Sequence, residues 1–390
     1  MTRICCYTSF NYSYLGRALT LLATVRAAHP DWEVCAVVVD EPPRGERQAE
    51  LLAGFDLVLG LHDLGIARAR AWLFKHDAIE ACTAVKGAAM LCLMEAGYDA
   101  VVYLDPDIAV FHPLDPIVAT LGQAAIVLTP HQCSPNRNYR VMLDNELASM
   151  RFGVFNLGCI AVRSHGAGRS FAEWWAAQLG RACYDDVAAG LFTDQKYVDL
   201  VPGLFDGVAI VRDPGCNVAS WNLSTRRVGI GVDGSIRVNG APLRFMHFTK
   251  IDSVGDIMIE RYAGDSIEVL ELWSWYRCQI ARWQPRAVPP GYWRYGSFSN
   301  GVMIRQKVRL LYRESRDLRA AFDDPYDAGG PFYAWLSQAH PKLLGLPFCS
   351  AALAPDYATP SSPTPSSATV AGSSTQGCDT TLTQTATGAP

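Results

Sequence analysis

The sequence predicts an α/β protein: a mainly parallel sheet flanked by helices, with a small helical subdomain near the C-terminal end. Three observations carry this reading. Short runs such as Val34 to Val39 and Ala100 to Leu104 are apolar at every position, as strands covered on both faces must be. Segments with helical apolar spacing lie between those runs. The order strand, helix, strand then recurs along the chain, as in sheets built from crossover units.

Ile4 to Tyr7 reads as the first strand, Thr8 to Tyr14 as a polar loop, and Leu19, Leu22, Val25 and Ala28 as the apolar stripe of the first helix. Val34 to Val39 ends at Asp40 before the Glu41-Pro42-Pro43 break, and a short strand follows at Leu57 to Leu59. Ala78 to Ala96 reads as one long helix stopped by Gly97, and Ala100 to Leu104 as the buried strand after it. Further strands fall at Ala125 to Leu128, Val154 to Val162, Val208 to Val211 and Leu243 to Phe248. Helices fall at Gly168 to Leu179 and from Asp194, with Thr193 as a good N-cap. A basic helical stretch spans about Val302 to Arg319.

The chain has 390 residues, enough for one large domain and an appendage. The division read from composition is 1–284 for the α/β domain, 285–350 for the aromatic and basic helical subdomain, and 351–390 for a disordered Ser/Thr/Pro-rich tail. A net charge of -4, spread evenly, gives no footprint for nucleic acid. No apolar run reaches bilayer-spanning length, and Ser9, Asn11 and Ser13 stand where a signal peptide needs an apolar core. The twelve cysteines are scattered and include no Cys-x-x-Cys pair. Free thiols in a cytoplasmic protein are expected.

Asp105-Pro106-Asp107 follows the apolar strand directly. Side chains alternate along extended chain, so the two carboxylates share one side of the strand terminus. Two acids in one small volume repel unless a cation sits between them, and oxygen ligands point to Mn²⁺ or Mg²⁺. Asp-Pro is also ordinary turn chemistry, as at Asp115-Pro116, Asp213-Pro214 and Asp324-Pro325, but none of these follows a buried strand as clearly.

The segment Tyr103-Leu104-Asp105-Pro106-Asp107-Ile108-Ala109-Val110-Phe111 resembles the DxD segment of GT-A nucleotide-sugar glycosyltransferases, especially bacterial relatives of the glycogenin-like, retaining group. Thr83-Ala84-Val85-Lys86, Phe155-Asn156-Leu157-Gly158, Thr193-Asp194-Gln195-Lys196, Trp221-Asn222 and Met246-His247-Phe248 follow in that family's order, over about residues 1–250. The resemblance implies a GT-A fold and transfer from a nucleotide-diphosphate-sugar, UDP-linked, to a glycan or lipid-linked acceptor. It implies His247 as a third metal ligand and Lys86 and Lys250 as donor-binding cations. Asn156 would contact the sugar, and Asp194 and Gln195 would lie beside its reacting carbon. His247 and Lys250 are only three positions apart, a shorter gap than in that group.

In the first loop Thr8, Phe10 and Tyr14 lie where the fold places the nucleobase; core packing is the competing use of the two aromatics. Ordinary structural uses stand beside the other roles: a solvated helix position for Lys86, a helix-start acid for Asp194, a strand-start amide for Asn156. Trp273, Trp275, Trp283 and Trp293 are assigned to packing. The cations Arg305, Lys307, Arg309, Arg313, Arg316 and Arg319 form either a solvated helical face or a peripheral contact with anionic lipid at the inner face of a membrane. Rival functions are a phosphatase-like hydrolase with an Asp nucleophile and an inactive carbohydrate-binding scaffold.

Overall fold

A computed structural model describes residues 2–345 of the chain. Seven strands form the central sheet. In sequence they are β1 (Ile4–Phe10), β2 (Glu33–Val38), β3 (Leu57–Gly60), β4 (Ala100–Leu104), then Ile126–Pro130, Phe155–Arg163 and Val208–Ile210. The spatial order is Val208–Ile210, Ile126–Pro130, Phe155–Arg163, β4, β1, β2, β3. Only Phe155–Arg163 runs against its neighbours, so the sheet is mainly parallel, as the apolar runs predict.

Alternation along the strands divides the core into two layers. Cys5, Tyr7, Val101 and Tyr103 face one apolar cluster, while Cys6, Phe10, Val102 and Leu104 face the other. Tyr7 and Tyr103 meet edge to face with centroids 4.9 Å apart, a geometry worth about 0.5–1.5 kcal/mol beyond simple burial.

The helix expected from Ala78 to Ala96 is two helices, Ala78–Ala84 and Lys86–Glu95, with the break at Val85. Asp77 and Glu80 close a capping box at the start of the first. Gly87 lets the second lie against the helix Ala167–Ala182, because a Cβ there would stand 2.6 Å from the Cα of Ala176. That close approach carries Lys86 inward.

Thr193 is not an N-cap. It has φ +45° and donates to the side chain of Asp194, and the short helix Gln195–Val198 begins one residue later than expected. Two helices beyond the sequence reading, Val254–Ala263 and Ile267–Trp283, pack with Phe248, Met246 and Val218 into a third cluster that includes Trp273. Ile267–Trp283 also lies on the first helix, Leu15–Ala28, where Gly16 donates its N–H to Gln284 Oε1 at 2.8 Å.

The basic stretch is likewise two helices, Gln306–Glu314 and Arg316–Ala321, and part of its charge points into the protein. Arg309 is 3% exposed and donates to the carbonyls of Phe74 and Tyr295, while Arg313 pairs with Glu80. That helix therefore does not present the continuous cationic face that its composition suggests. Tyr295, Phe298, Val308, Tyr312 and Phe332 bury in the same cluster as Phe74 and the sheet residue Tyr7. The segment 351–390, read from composition as a tail, lies outside the described residues. The cysteines among the described residues are free thiols, and no described helix is long and apolar enough to cross a membrane.

Candidate functional site

The Asp pair sits at the carboxyl end of β4, and two strand pairings bring its partners to it. Ile108–Val110 continues the chain past Asp107 and pairs antiparallel with Phe245–His247, in a register that sets His247 opposite Ile108. The N–H of Phe248 donates to the carbonyl of Asp107 at 2.8 Å, closing this ladder beside the acids. On the other side Leu104 pairs with Cys159, and the N–H of Asp105 donates to the carbonyl of Gly158 at 2.8 Å. Because Phe155–Arg163 runs antiparallel, its beginning meets the end of β4. Asn156, Leu157 and Gly158 therefore flank Asp105.

Asp105, Asp107 and His247 offer three ligand atoms that all lie within 4.8 Å of one another. His247 Nε2 is 2.9 Å from Asp107 Oδ1 and 3.7 Å from Asp105 Oδ2. Its Nδ1 is 3.2 Å from Asn156 Oδ1, and Asn156 Nδ2 is 3.3 Å from His131 Nε2. His131 Nδ1 in turn faces the carbonyl of Val154 at 3.4 Å. A carbonyl only accepts, so the network assigns donors in one direction: His131 Nδ1–H to Val154, Asn156 Nδ2–H to His131, and His247 Nδ1–H to Asn156. The chain of bonds leaves His247 Nε2 as the ring nitrogen aimed at the two acids.

Electrostatics agree with that arrangement. Burial drives the His131 ring down to about 4, so it is a neutral acceptor at neutral pH. Burial also opposes charge on His247, but the facing Asp107, its hydrogen bond and Asp105 prevail and hold the imidazolium above its usual range. For Asp107 burial raises the carboxyl, and His247 with more distant help from Arg17 brings it below the usual range. His247 and Asp107 thus stabilise each other's charged forms with Asp105 alongside, and a divalent cation at the same three atoms would take the place of the histidine's proton. One nitrogen and two carboxylates suit Mn²⁺ or Mg²⁺, so the residues fit the expected group.

Gly158 makes room for this ring. A Cβ there would lie 2.6 Å from His247 Cε1 and 2.8 Å from Asn156 Oδ1. Trp221 closes the other side, edge to face with His247 at 5.4 Å and tilted against His131 at 5.3 Å.

Lys86 is 2% exposed and stands behind the acids, which removes the solvated-helix alternative. Its Nζ donates to Asp194 Oδ2 at 2.9 Å, Asp105 Oδ1 at 3.1 Å and the carbonyl of Leu157 at 3.1 Å, and lies 4.1 Å above the Tyr103 ring. Burial disfavours its charge, yet Asp105 and Asp194 raise it above the ordinary lysine range. Asp194 is also raised: its burial and the charge of Asp105 outweigh the relief from Lys86. Two acids share one ammonium here, so Asp194 is the strained member. Tyr103 donates to Asp105 Oδ1 at 2.7 Å and exchanges a 3.1 Å hydrogen bond with Ser9.

Gln195 is held by Phe152, whose carbonyl accepts from Nε2 at 2.9 Å, and by the N–H of Leu157, which donates to Oε1 at 3.2 Å. Asp105, Asp107, His247, Asn156, Lys86, Asp194 and Gln195 therefore form one connected cluster. The remaining candidates do not join it by hydrogen bonds. Phe10 is 1% exposed and packs against Phe55, so core packing is its use here. Thr8 is buried with no partner for its hydroxyl. Tyr14 is exposed, with the Arg17 guanidinium 4.5 Å from its ring centroid. Lys250 is exposed with φ +51°, and its carbonyl caps Ser253 and Gly255 while its amine makes no contact with the cluster.

Sequence reasoning missed His131, Tyr103 and Ser9 as site residues. His131 carried a legible signal, since it follows the apolar strand Ile126–Pro130 as Asp105 follows β4.

No family model matches the chain. Two curated proteins of Bacillus subtilis (strain 168) are similar to it. The uncharacterized protein YfnF is 24% identical over 185 residues, 46% of this chain and 60% of that protein. The uncharacterized protein YfnD is 31% identical over 179 residues, 44% of this chain and 53% of that protein. The chain thus spans little more than half the length of these relatives. Among solved structures, the galactosyltransferase LgtC in complex with donor and acceptor sugar analogs is 20% identical with a TM-score of 0.40, over 70% of this chain and 99% of that one. The glycosyltransferase GlyE of Streptococcus pneumoniae TIGR4 is 14% identical with a TM-score of 0.40, over 76% of this chain and 67% of that one.

Proposed function

We propose that the protein is a divalent-metal-dependent glycosyltransferase that moves a sugar from a nucleotide-diphosphate donor, UDP-linked, to a glycan or lipid-linked acceptor with retained anomeric configuration. The observation that supports this reading is the convergence of Asp105, Asp107 and His247 at the carboxyl edge of a mainly parallel sheet, with a buried ammonium directly behind them. Asp105, Asp107 and His247 would hold Mn²⁺ or Mg²⁺, which supplies Lewis-acid stabilisation of the departing diphosphate's charge.

The chain's own groups do the rest. Lys86 fixes the orientation of Asp105, and by sharing its charge with Asp194 it keeps a second carboxylate beside the metal-binding pair. Asp194 is then placed to favour positive charge developing on the sugar, and Gln195, anchored at both ends of its amide, orients donor hydroxyls. Asn156 fixes the His247 ring. Tyr14 offers the exposed aromatic face for the base, in the place that Phe10 cannot fill.

A panel of nucleotide-sugars tested for Mn²⁺-dependent thermal stabilisation, followed by assay of released nucleotide, examines the proposal. One nucleotide-sugar is expected to raise the melting temperature only with metal present and to be turned over. The Asp107→Ala variant is expected to fold and to release no nucleotide. Full turnover by Asp107→Ala, or hydrolysis of aryl phosphates without any response to nucleotide-sugars, would reject it.

A further inference from the structure

The connection between Ile126–Pro130 and Phe155–Arg163 is a helix over residues 139–152, widened by a π-turn at Met142–Glu146. Its apolar residues do not all turn inward. Tyr139 (70% exposed), Leu143, Leu147 (45%) and Met150 (68%) are exposed at spacings of four, four and three, so they form one stripe facing solvent. Lone exposed apolar residues are ordinary, but a continuous helical stripe ending in an exposed Val154 is not.

The charges on this segment are sorted. Its two acids turn toward the protein: Asp144 accepts from Arg261 and Tyr262, and Glu146 accepts from the N–H of Asn136. Arg137, Arg140 and Arg151 are exposed, and none joins an ion pair among the described residues. The solvent therefore sees apolar side chains, one of them a tyrosine, bordered by exposed arginines that stand outside the ion pairs of the described residues, with Asp144 feeling the charge of Arg140 at longer range. That is the pattern of a helix lying in the headgroup layer of an anionic bilayer.

From this we infer that the helix 139–152 docks the protein on an anionic membrane surface. The basic helices Gln306–Glu314 and Arg316–Ala321 are poorer candidates because Arg309 and Arg313 are spent inside the fold. The docking helix also adjoins the candidate site: its last residue, Phe152, holds Gln195 through its carbonyl, and the strand before it ends next to His131. Docking here would bring that cluster to the bilayer, where a lipid-linked acceptor resides. The surface itself stands apart from the transfer reading, since membrane binding is read without turnover.

The test is co-sedimentation of the full chain with vesicles of equal parts phosphatidylglycerol and phosphatidylcholine, against phosphatidylcholine alone, at low salt. Binding to the anionic vesicles only is expected. Each of Arg140→Gln and Arg151→Gln should weaken it roughly fivefold. The double variant Leu147→Ser/Met150→Ser should weaken it at least about tenfold, with an unchanged circular dichroism spectrum. Failure of the unaltered chain to sediment would overturn the inference, as would undiminished binding by the variants. A double variant that binds vesicles normally but breaks up a dimer would assign the stripe to a second copy of the chain instead.

Discussion

Replacing Lys86 by Met tests the electrostatic centre of the site. The substitution keeps the length of the side chain and removes one buried ammonium with three acceptors: Asp194 at 2.9 Å, and Asp105 and the Leu157 carbonyl at 3.1 Å. Asp105, about a quarter of its side chain exposed, can recover hydration, but Asp194 is nearly sealed and keeps only neutral donors, the Thr193 hydroxyl and a backbone N–H. Breaking a buried pair while leaving one charge behind costs about 3–5 kcal/mol, and the partial rehydration of Asp105 favours the lower end. About 3 kcal/mol corresponds to a fall of roughly 4 °C in melting temperature for a chain of this size.

The loss has a pH signature. With Lys86 gone, Asp194 loses the charge and hydrogen bond that lower it most, so its folded carboxyl rises further above the unfolded value. A carboxyl raised by folding contributes its stability below the unfolded pKa and loses it as pH rises through the folded one. The gap between Lys86→Met and the unaltered protein should therefore be smallest near pH 4 and widest above pH 7. Lys86→Met/Asp194→Asn should regain more than half of the loss. Thermal melts across that range decide the matter. A single variant within about 1 °C of the unaltered protein at neutral pH, or a gap independent of pH, would refute the buried-pair account.

Gly158→Ala should displace the His247 ring, because the new methyl would sit 2.6 Å from Cε1. A loss of about 1–3 kcal/mol in stability and at least tenfold in Mn²⁺ affinity by titration calorimetry is expected. The His131 ring should stay neutral down to about pH 4 in an NMR titration. Since a histidine depressed by folding binds its proton more readily when unfolded, stability should decline as pH falls from about 6.5 to about 4, by at most about 3 kcal/mol. His131→Phe should flatten that decline. It should also loosen the His247 tautomer, seen as a mixed nitrogen-15 signature for its ring and weaker Mn²⁺ binding.

How far the sequence foretold this structure depends on how many faces of an element are buried. Ala100–Leu104 is apolar throughout and Glu33–Val38 nearly so, and their places were legible to within a residue, whereas β1 runs three residues past the expected Tyr7, because Thr8 and Ser9 are buried strand residues and not loop. The helix break at Val85 was not, because nothing in the apolar spacing of Ala78 to Ala96 marks it. The burial of Lys86 did leave a trace: it shares a stripe with Ala89, Met90 and Leu93, so its position on an apolar face could have been read. Arg309, between Val308 and Tyr312, is a similar case. The positive φ that turns Lys250 into a loop residue has no such trace. Nor does the choice between base stacking and packing for Phe10, which is settled by Phe55, distant in sequence.

The pairing of Phe245–His247 with Ile108–Val110 has a consequence for how the chain is made. Asp107 and His247 are separated by 140 positions, the difference of their residue numbers. At about 5–20 residues per second, a ribosome needs roughly 7–28 s to travel from one to the other. During that interval the two aspartates lack the imidazole that faces them, and β4 also waits for its antiparallel neighbour Phe155–Arg163, made between the two. The last short strand brings the imidazole. If the proposed metal site holds, a nascent chain stalled before Phe245 should bind Mn²⁺ poorly, and competence to capture the ion would mark completed synthesis through that strand.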